Sequence, residues 1–226
     1  MIFIETKRLI LRNYQTGDFA DIRAYFSNEE VSRYEDFYPM TDAQIADLLS
    51  KWIPLDNRLV AERKSDKTVI GSIGYWVDNE GHHCIDYDFH PDYCGNGYAT
   101  EAAQALVQHL FETTNICAVY ADCDIQNTAS WKLLERIGFQ RLRMLENQCY
   151  KHDSAGNPIL IRTYLYEKNA AILSIEKIGA KYSNMHTAAQ IKIAALRRAA
   201  GAATRQIFLP FNIKLIFEIL VAFSCS

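Results

Sequence analysis

Several features that would assign the chain quickly are missing. The six cysteines (84, 94, 117, 123, 149 and 225) include no Cys-x-x-Cys pair, and the five before residue 170 cannot all pair, so a reduced, cytoplasmic protein is the simplest expectation. No basic segment leading into an apolar run follows Met1, which argues against a secretory signal. The apolar stretch Ile207 to Phe223 is broken by Pro210 and carries Lys214 and Glu218, so it falls short of a membrane span. No internal repeat is visible. No glycine is followed by Lys-Ser or Lys-Thr, so no lysine is placed to reach the γ-phosphate of a nucleotide. A dinucleotide fingerprint would need a third glycine and an opening βαβ unit, and neither is present.

The 226 residues allow one large domain with an appendage, and 49% hydrophobic with 23% charged residues is ordinary for a globular protein with a sizeable core. Charge is unevenly spread. Residues 170–226 hold seven Lys/Arg and two Glu, a net of +5, which leaves −8 of the overall −3 for residues 1–169. An acidic domain is a poor nucleic-acid binder and a reasonable host for a cationic molecule.

The most informative stretch runs from Cys84 to Thr114. Ile85, Tyr87 and Phe89 alternate with polar residues as in a strand, and Pro91 stops it. Gly95 and Gly97 permit a tight turn. From Ala99 on, Ala102, Ala103, Leu106, Val107, Leu110 and Phe111 recur at helical spacing. Strand, glycine turn and helix N-terminus together aim free N–H groups and the positive end of a helix dipole at one point, which makes an anion site, most naturally for phosphate.

Around it, residues 3–13 read as a first strand and Asp18 to Phe26 as a short helix. Thr41 with Gln44 forms a capping box for a helix that ends at Pro54. Leu59 to Arg63 and Thr68 to Val77 make a hairpin, and 117–123 a buried strand. Asn127 to Ile137 reads as a helix closed by Gly138. Residues 139–150 and 159–166 form a last hairpin. A meander followed by alternating strands and helices predicts a mixed α/β sheet with helices on both faces.

The segment Cys94-Gly95-Asn96-Gly97-Tyr98-Ala99 resembles the Gln/Arg-x-x-Gly-x-Gly/Ala pyrophosphate loop of the GNAT superfamily of acetyl-CoA-dependent N-acetyltransferases. Gly97 and Ala99 match, and Cys94 replaces the Gln/Arg. His90-Pro91-Asp92-Tyr93, Thr100-Glu101-Ala102 and Thr6 to Arg12 resemble the branch that contains the ribosomal-protein N-terminal acetyltransferases. A second segment, Asn127 to Phe139, is similar to the Asn-x-x-Ser…Glu-Lys-x-Gly-Phe run of that branch. The resemblance covers residues 1–169, stops near Lys168, and gives the basic, partly apolar extension 170–226 no role. It implies a single domain with about seven strands in a mixed, largely antiparallel sheet splayed at its centre.

It further implies an acetyl-CoA donor and a primary-amine acceptor, either a cationic small molecule or a peptide or protein N-terminus. It leaves room for a homodimer. The donor would be held by Phe89, His90, Cys94, Gly95, Asn96, Gly97, Tyr98, Ala99 and Thr100, with Asn127 and Ser130 on the pantetheine arm and backbone N–H groups near Phe89 and His90 facing the oxyanion. The neutral amine would attack the thioester directly, which requires a base. By strand parity Asp86 and Asp88 share one face, as do Tyr120, Asp122 and Asp124. Asp122, five residues before Asn127 where some relatives carry a glutamate base, leads as that base, and Asp86 is second. Many relatives have a tyrosine acid at the position of Leu134, so Ser130 or a water would take its part. His82, His83, Cys84, His90 and Cys94 fit no zinc spacing, so no metal is expected. The alternative is a catalytically silent CoA-binding sensor or interaction module.

Overall fold

Apolar alternation in the N-terminal half and helical periodicity in the middle resolve into one eight-stranded sheet, ordered β1-β2-β3-β4-β5-β6-β8-β7. The structure is a computed structural model and describes residues 2–170. The extension 170–226, including its apolar stretch, therefore lies outside the described residues except for Ala170. The strands are β1 Phe3–Glu5, β2 Leu9–Asn13, β3 Arg58–Arg63, β4 Val69–Val77, β5 His83–Phe89, β6 Ala118–Asp124, β7 Gln140–His152 and β8 Pro158–Asn169. The helices are α1 Phe19–Phe26, α2 Glu29–Ser32, α3 Asp42–Trp52, α4 Tyr98–Thr113 and α5 Thr128–Arg136.

Every neighbouring pair is antiparallel except β5 and β6, which run parallel and share the single register pair Cys84↔Tyr120. Beyond that pair the two strands part toward Phe89 and Asp124, so the sheet is splayed at its middle. The pleat sends alternate residues to opposite faces. Leu9, Leu11, Ile73, Ile85, Val119 and Ala121 pack with Leu106 and Leu110 of α4 and Leu133 and Leu134 of α5. On the other face Val60 and Val69 meet Tyr14, Ile22, Phe26, Ile45 and Leu49 from α1, α3 and the segment before them. Among the described residues no helix is long and apolar enough to cross a membrane.

Two expectations are corrected. Residues 3–13 are not one strand but the hairpin β1–β2, which raises the strand number from about seven to eight. The break comes from a turn in which Thr6 N donates to Leu9 O and Leu9 N to Thr6 Oγ1, both at 2.9 Å. Glu101 of α4 fixes that turn, accepting from Thr6 Oγ1 at 2.6 Å and from Arg8 N and Nε at 2.7 Å. The one-turn helix α2 was not expected, since four residues are too few to show a period; the Asn28 side chain caps it by accepting from Glu30 N at 2.8 Å. The Thr41–Gln44 capping box forms in both directions, and Gly138 closes α5 at φ 89°.

Candidate active site

The glycine turn is built as a strand stop followed by a helix start. His90 leaves β5 and accepts from Asp92 N through Nδ1 at 3.1 Å, which starts the short turn Pro91–Tyr93. Gly95 and Gly97 both lie at φ 78°, the left-handed region where a Cβ is strained. Asn96 bonds back to Tyr93 O and Cys94 O at 3.2 and 3.3 Å, and Arg8 Nη1 donates to Asn96 O at 2.9 Å. The guanidinium of Arg8 lies 4.3 Å from the centre of the Tyr98 ring and also holds Glu101. Residues 94–97 are exposed, and the amides of Tyr98, Ala99 and Thr100 occupy the first turn of α4, where no preceding helical carbonyl receives them. An anion placed there would meet free N–H groups and the helix dipole. Arg136 donates to Thr100 Oγ1 at 3.0 Å and brings a further cation to the same mouth.

The splay begins beside this loop. At its floor Tyr87 reaches from β5 to α5, its phenol oxygen 2.9 Å from Ser130 Oγ. Asn127 caps α5 by accepting from Ser130 N at 3.1 Å, and Asp124 closes the preceding turn by accepting from Gln126 N at 2.7 Å. Asn127 and Ser130 thus stand at one helix end on the opening of the wedge. Leu134, one turn further, is fully buried. Gly71 lies directly opposite Phe89, and a Cβ there would come within 2.6 Å of the Phe89 ring, so the close packing of this strand end depends on that glycine.

On the other face the parity places Asp86, Asp88, Asp122 and Asp124 together, and Glu35 and Asp36 reach them from the segment between α2 and α3. Asp86 forms an ion pair with Arg58, whose guanidinium also lies 5.1 Å from the Trp52 ring. The pair sits over Gly74, where a Cβ would be 2.7 Å from the Asp86 carboxylate. Asp122 accepts from the Tyr150 hydroxyl, and burial first, then the Asp122 charge, pushes that phenol upward and keeps it protonated. Among the described residues Asp88 has no such ion pair of its own. Burial, followed by the charges of Asp86 and Asp36, pushes its carboxyl up to about 7, with Arg58 opposing. Glu35 is also raised, by burial and then by Asp88, Asp36 and Asp86, against the opposing pull of Lys151. The segment carrying Glu35 is fastened to the end of β7, where Lys151 donates to Ser32 O and Tyr38 donates to His152 O at 2.8 Å. Glu35, Tyr34, Tyr38, Asp124, Tyr150 and Lys151 are among the residues around a cleft of about 140 Å³.

The residues expected to hold the donor therefore gather at one end of the splay, with Phe89 and His90 at the strand end, 94–100 in the loop and Asn127 with Ser130 across the wedge. Asp122 and Asp86 lie on the opposite face, each engaged by a partner that strand parity cannot reveal. Cys94 is exposed, with its sulfur 3.7 Å from His90 O. His82 bonds Asp78 at 2.9 Å, and among the described residues no group of His, Cys, Asp and Glu is arranged to hold a metal ion. Sequence reading passed over Arg8, Arg58, Tyr87 and Tyr150. Two of them had a local signal: Arg8 lies in the Thr6–Arg12 run already singled out, and Tyr87 in the Cys84–Thr114 stretch, where it counted only toward the strand alternation.

A sheet opened at one parallel seam, with a glycine turn at a helix N-terminus on one face and a carboxylate cleft on the other, is an arrangement suited to bringing two substrates together. The chain belongs to the GNAT acetyltransferases: the family model "Acetyltransferase (GNAT) domain" matches residues 8–140. It is 33% identical over 150 residues to the uncharacterized N-acetyltransferase p20 of Bacillus licheniformis, covering 63% of this chain and 84% of that protein. The fold is shared with a GNAT-family acetyltransferase of Bacillus anthracis at a TM-score of 0.68 and 24% identity, over 75% of this chain and 99% of the other. It is also shared with spermidine N-acetyltransferase of Vibrio cholerae, solved with CoA and spermine, at a TM-score of 0.61 and 20% identity, over 74% and 98% of the two chains. The protein is an acetyl-CoA-dependent N-acetyltransferase, with acetyl-CoA as the donor substrate.

Proposed function

We propose that the acceptor is a primary amine that is positively charged before it reacts, and that it attacks acetyl-CoA directly in a ternary complex. The observation that carries this reading is the acceptor face itself. Glu35, Asp36, Asp86, Asp88, Asp122 and Asp124 converge there, and even with a proton held on Glu35 and a partial one on Asp88 their charge outweighs Arg33, Arg58, already paired with Asp86, and Lys151. Such a surface attracts a cation and repels an acidic amino acid. A polyamine, an aminoglycoside and a peptide N-terminus meet that requirement. The likeness of residues 6–12, 90–93 and 100–102 to the ribosomal-protein branch favours the peptide terminus.

The first step is loss of a proton from the ammonium. Asp122 and Asp86 were the expected acceptors, yet the first is bonded to Tyr150 and the second to Arg58. Asp88 is the better base, because its raised pKa lies near the working pH and Glu35 beside it shares the field. Asp122 and Asp86 then supply negative potential for the incoming ammonium. Of the two amides expected to face the developing oxyanion, that of His90 already donates to Ile70 O at 2.9 Å, which leaves the Phe89 amide for that role, while Asn127 and Ser130 hold the pantetheine side.

The test is CoA release from acetyl-CoA across polyamines, aminoglycosides, free amino acids and peptides with free N-termini, at low and moderate salt. Cationic acceptors should lead, and their kcat/KM should fall as salt screens the cleft. A salt-insensitive preference for an anionic acceptor would overturn the charge argument. Tight CoA binding without turnover on any amine would make the chain a silent CoA-binding module.

A further inference from the structure

The leaving sulfur has no obvious partner in this chain, because the tyrosine that many relatives place on the helix after the second wedge strand is here the fully buried Leu134. Ser130 is the nearest hydroxyl on that helix, and its surroundings are unusual. The hydroxyls of Ser27, Ser50 and Thr114 turn back to a carbonyl of their own helix. Ser130 makes no such bond; its Oγ meets the Tyr87 phenol at 2.9 Å, while the Ser130 carbonyl lies farther from that phenol, at 3.4 Å. We propose that Tyr87 is a positioning residue: its phenol donates to Ser130 Oγ and so turns the Ser130 hydrogen toward the sulfur that leaves from acetyl-CoA. The inference rests on the reading of the splay as the acetyl-CoA groove.

The direction of the bond follows from the groups present. Burial pushes the Tyr87 phenol above its ordinary range, so it remains a protonated donor at any working pH. A phenol has one hydrogen, and we assign it to the shorter contact, Ser130 Oγ at 2.9 Å, rather than to the Ser130 carbonyl at 3.4 Å. Ser130 then accepts through its oxygen, and its own hydrogen is turned toward the Cys123 sulfur, from which the leaving sulfur draws it. The other group beside it is the buried thiol of Cys123, pushed up to about 12 chiefly by burial and drawn back by Ser130, so this hydroxyl already faces a sulfur. Tyr87 crosses from β5 to α5 where the two wedge strands have parted, which places the pair on the donor face beneath the opening.

In the reaction the amine nitrogen forms a bond to the acetyl carbon, the carbon–sulfur bond breaks, and sulfur departs with the electron pair as a thiolate. The two surplus protons of the ammonium pass to the acceptor-face carboxylate and then to solvent. Ser130 keeps its proton, since a thiol with a pKa of about 8.5 is a far stronger acid than an alcohol. Its contribution is a charge-assisted hydrogen bond to sulfur, formed as the negative charge develops.

Bound CoA reads this directly, through ultraviolet titration of its thiol on the full chain. In the parent protein the bound thiol should ionise below the free value of about 8.5. Tyr87→Phe and Ser130→Ala should each move that ionisation up by about half to one unit and lower kcat roughly three- to tenfold; the Kd for CoA should stay unchanged in Tyr87→Phe, whereas Ser130→Ala also gives up a contact to the pantetheine arm. Tyr87→Phe keeps the ring that packs on the core, and its thermal midpoint checks the fold. A shift in Ser130→Ala but none in Tyr87→Phe would leave Ser130 acting alone and overturn the positioning role. No shift in either would remove Ser130 as well. Failure of the parent chain to bind CoA would instead overturn the acetyl-CoA groove on which the inference rests.

Discussion

Gly97 is the residue at which the anion loop can be tested with fewest complications. It is the N-cap of α4 at φ 78° and ψ 9°. A Cβ built there would meet only the Arg8 guanidinium, at 3.5 Å, which is ordinary contact. The cost of Gly97→Ala is therefore conformational rather than steric, about 1–2 kcal/mol for an L residue held in the left-handed region. For a domain of this size that lowers Tm by roughly 2–8 °C if the loop keeps its shape. If the loop relaxes to negative φ instead, Tm moves little but the amides of Tyr98 to Thr100 no longer converge. Only in the second case does the donor lose its site. Gly97→Val adds a branched Cβ and should raise the Kd for CoA at least about tenfold, or about 1.4 kcal/mol. Titration calorimetry with CoA and scanning calorimetry without it separate the two terms. Gly156→Ala is the control: its φ is 84°, nothing lies within 4 Å of its Cβ, and it sits in the β7–β8 turn. It should lose stability and keep CoA affinity. A folded Gly97→Val with unchanged Kd would refute the assignment of the loop.

Asp88→Asn should lower kcat by roughly 10²–10⁴ with CoA affinity intact, whereas Asp122→Asn should cost less than about tenfold. The reverse order in the same CoA-release assay would return the base to Asp122. Thermal stability of the unliganded chain should fall as pH rises from about 5 to 8. Asp88 has a folded pKa raised from 3.8 to about 7, so the folded state binds the extra proton and its advantage, complete below the unfolded pKa, is lost as pH passes through the folded one. Glu35 adds in the same direction. Asp88→Asn should flatten the profile, and a midpoint that rises over this window in the parent protein would contradict the buried-carboxyl assignment.

What the sequence determined by itself is what depends on neighbours in the chain. Pro91 stops β5, Gly95 and Gly97 sit at positive φ, the Thr41–Gln44 box closes, and Asn127 caps α5, because each needs only residues a few positions away. Strand parity was equally legible: a period of two places Asp86 with Asp88 and Asp122 with Asp124 before any contact is known. The tertiary structure decided the rest. Residues 3–13 break into two strands because Glu101, 93 positions from Arg8, grips the turn between them. Asp86 and Asp122 lose their freedom to Arg58 and Tyr150, each 28 positions away in the chain. Asp88, equal to both in the sequence, becomes the distinctive carboxyl only because the fold buries it among like charges. A side chain's identity is local, but its protonation and its partners depend on burial and field, and those exist only once distant strands have been brought together.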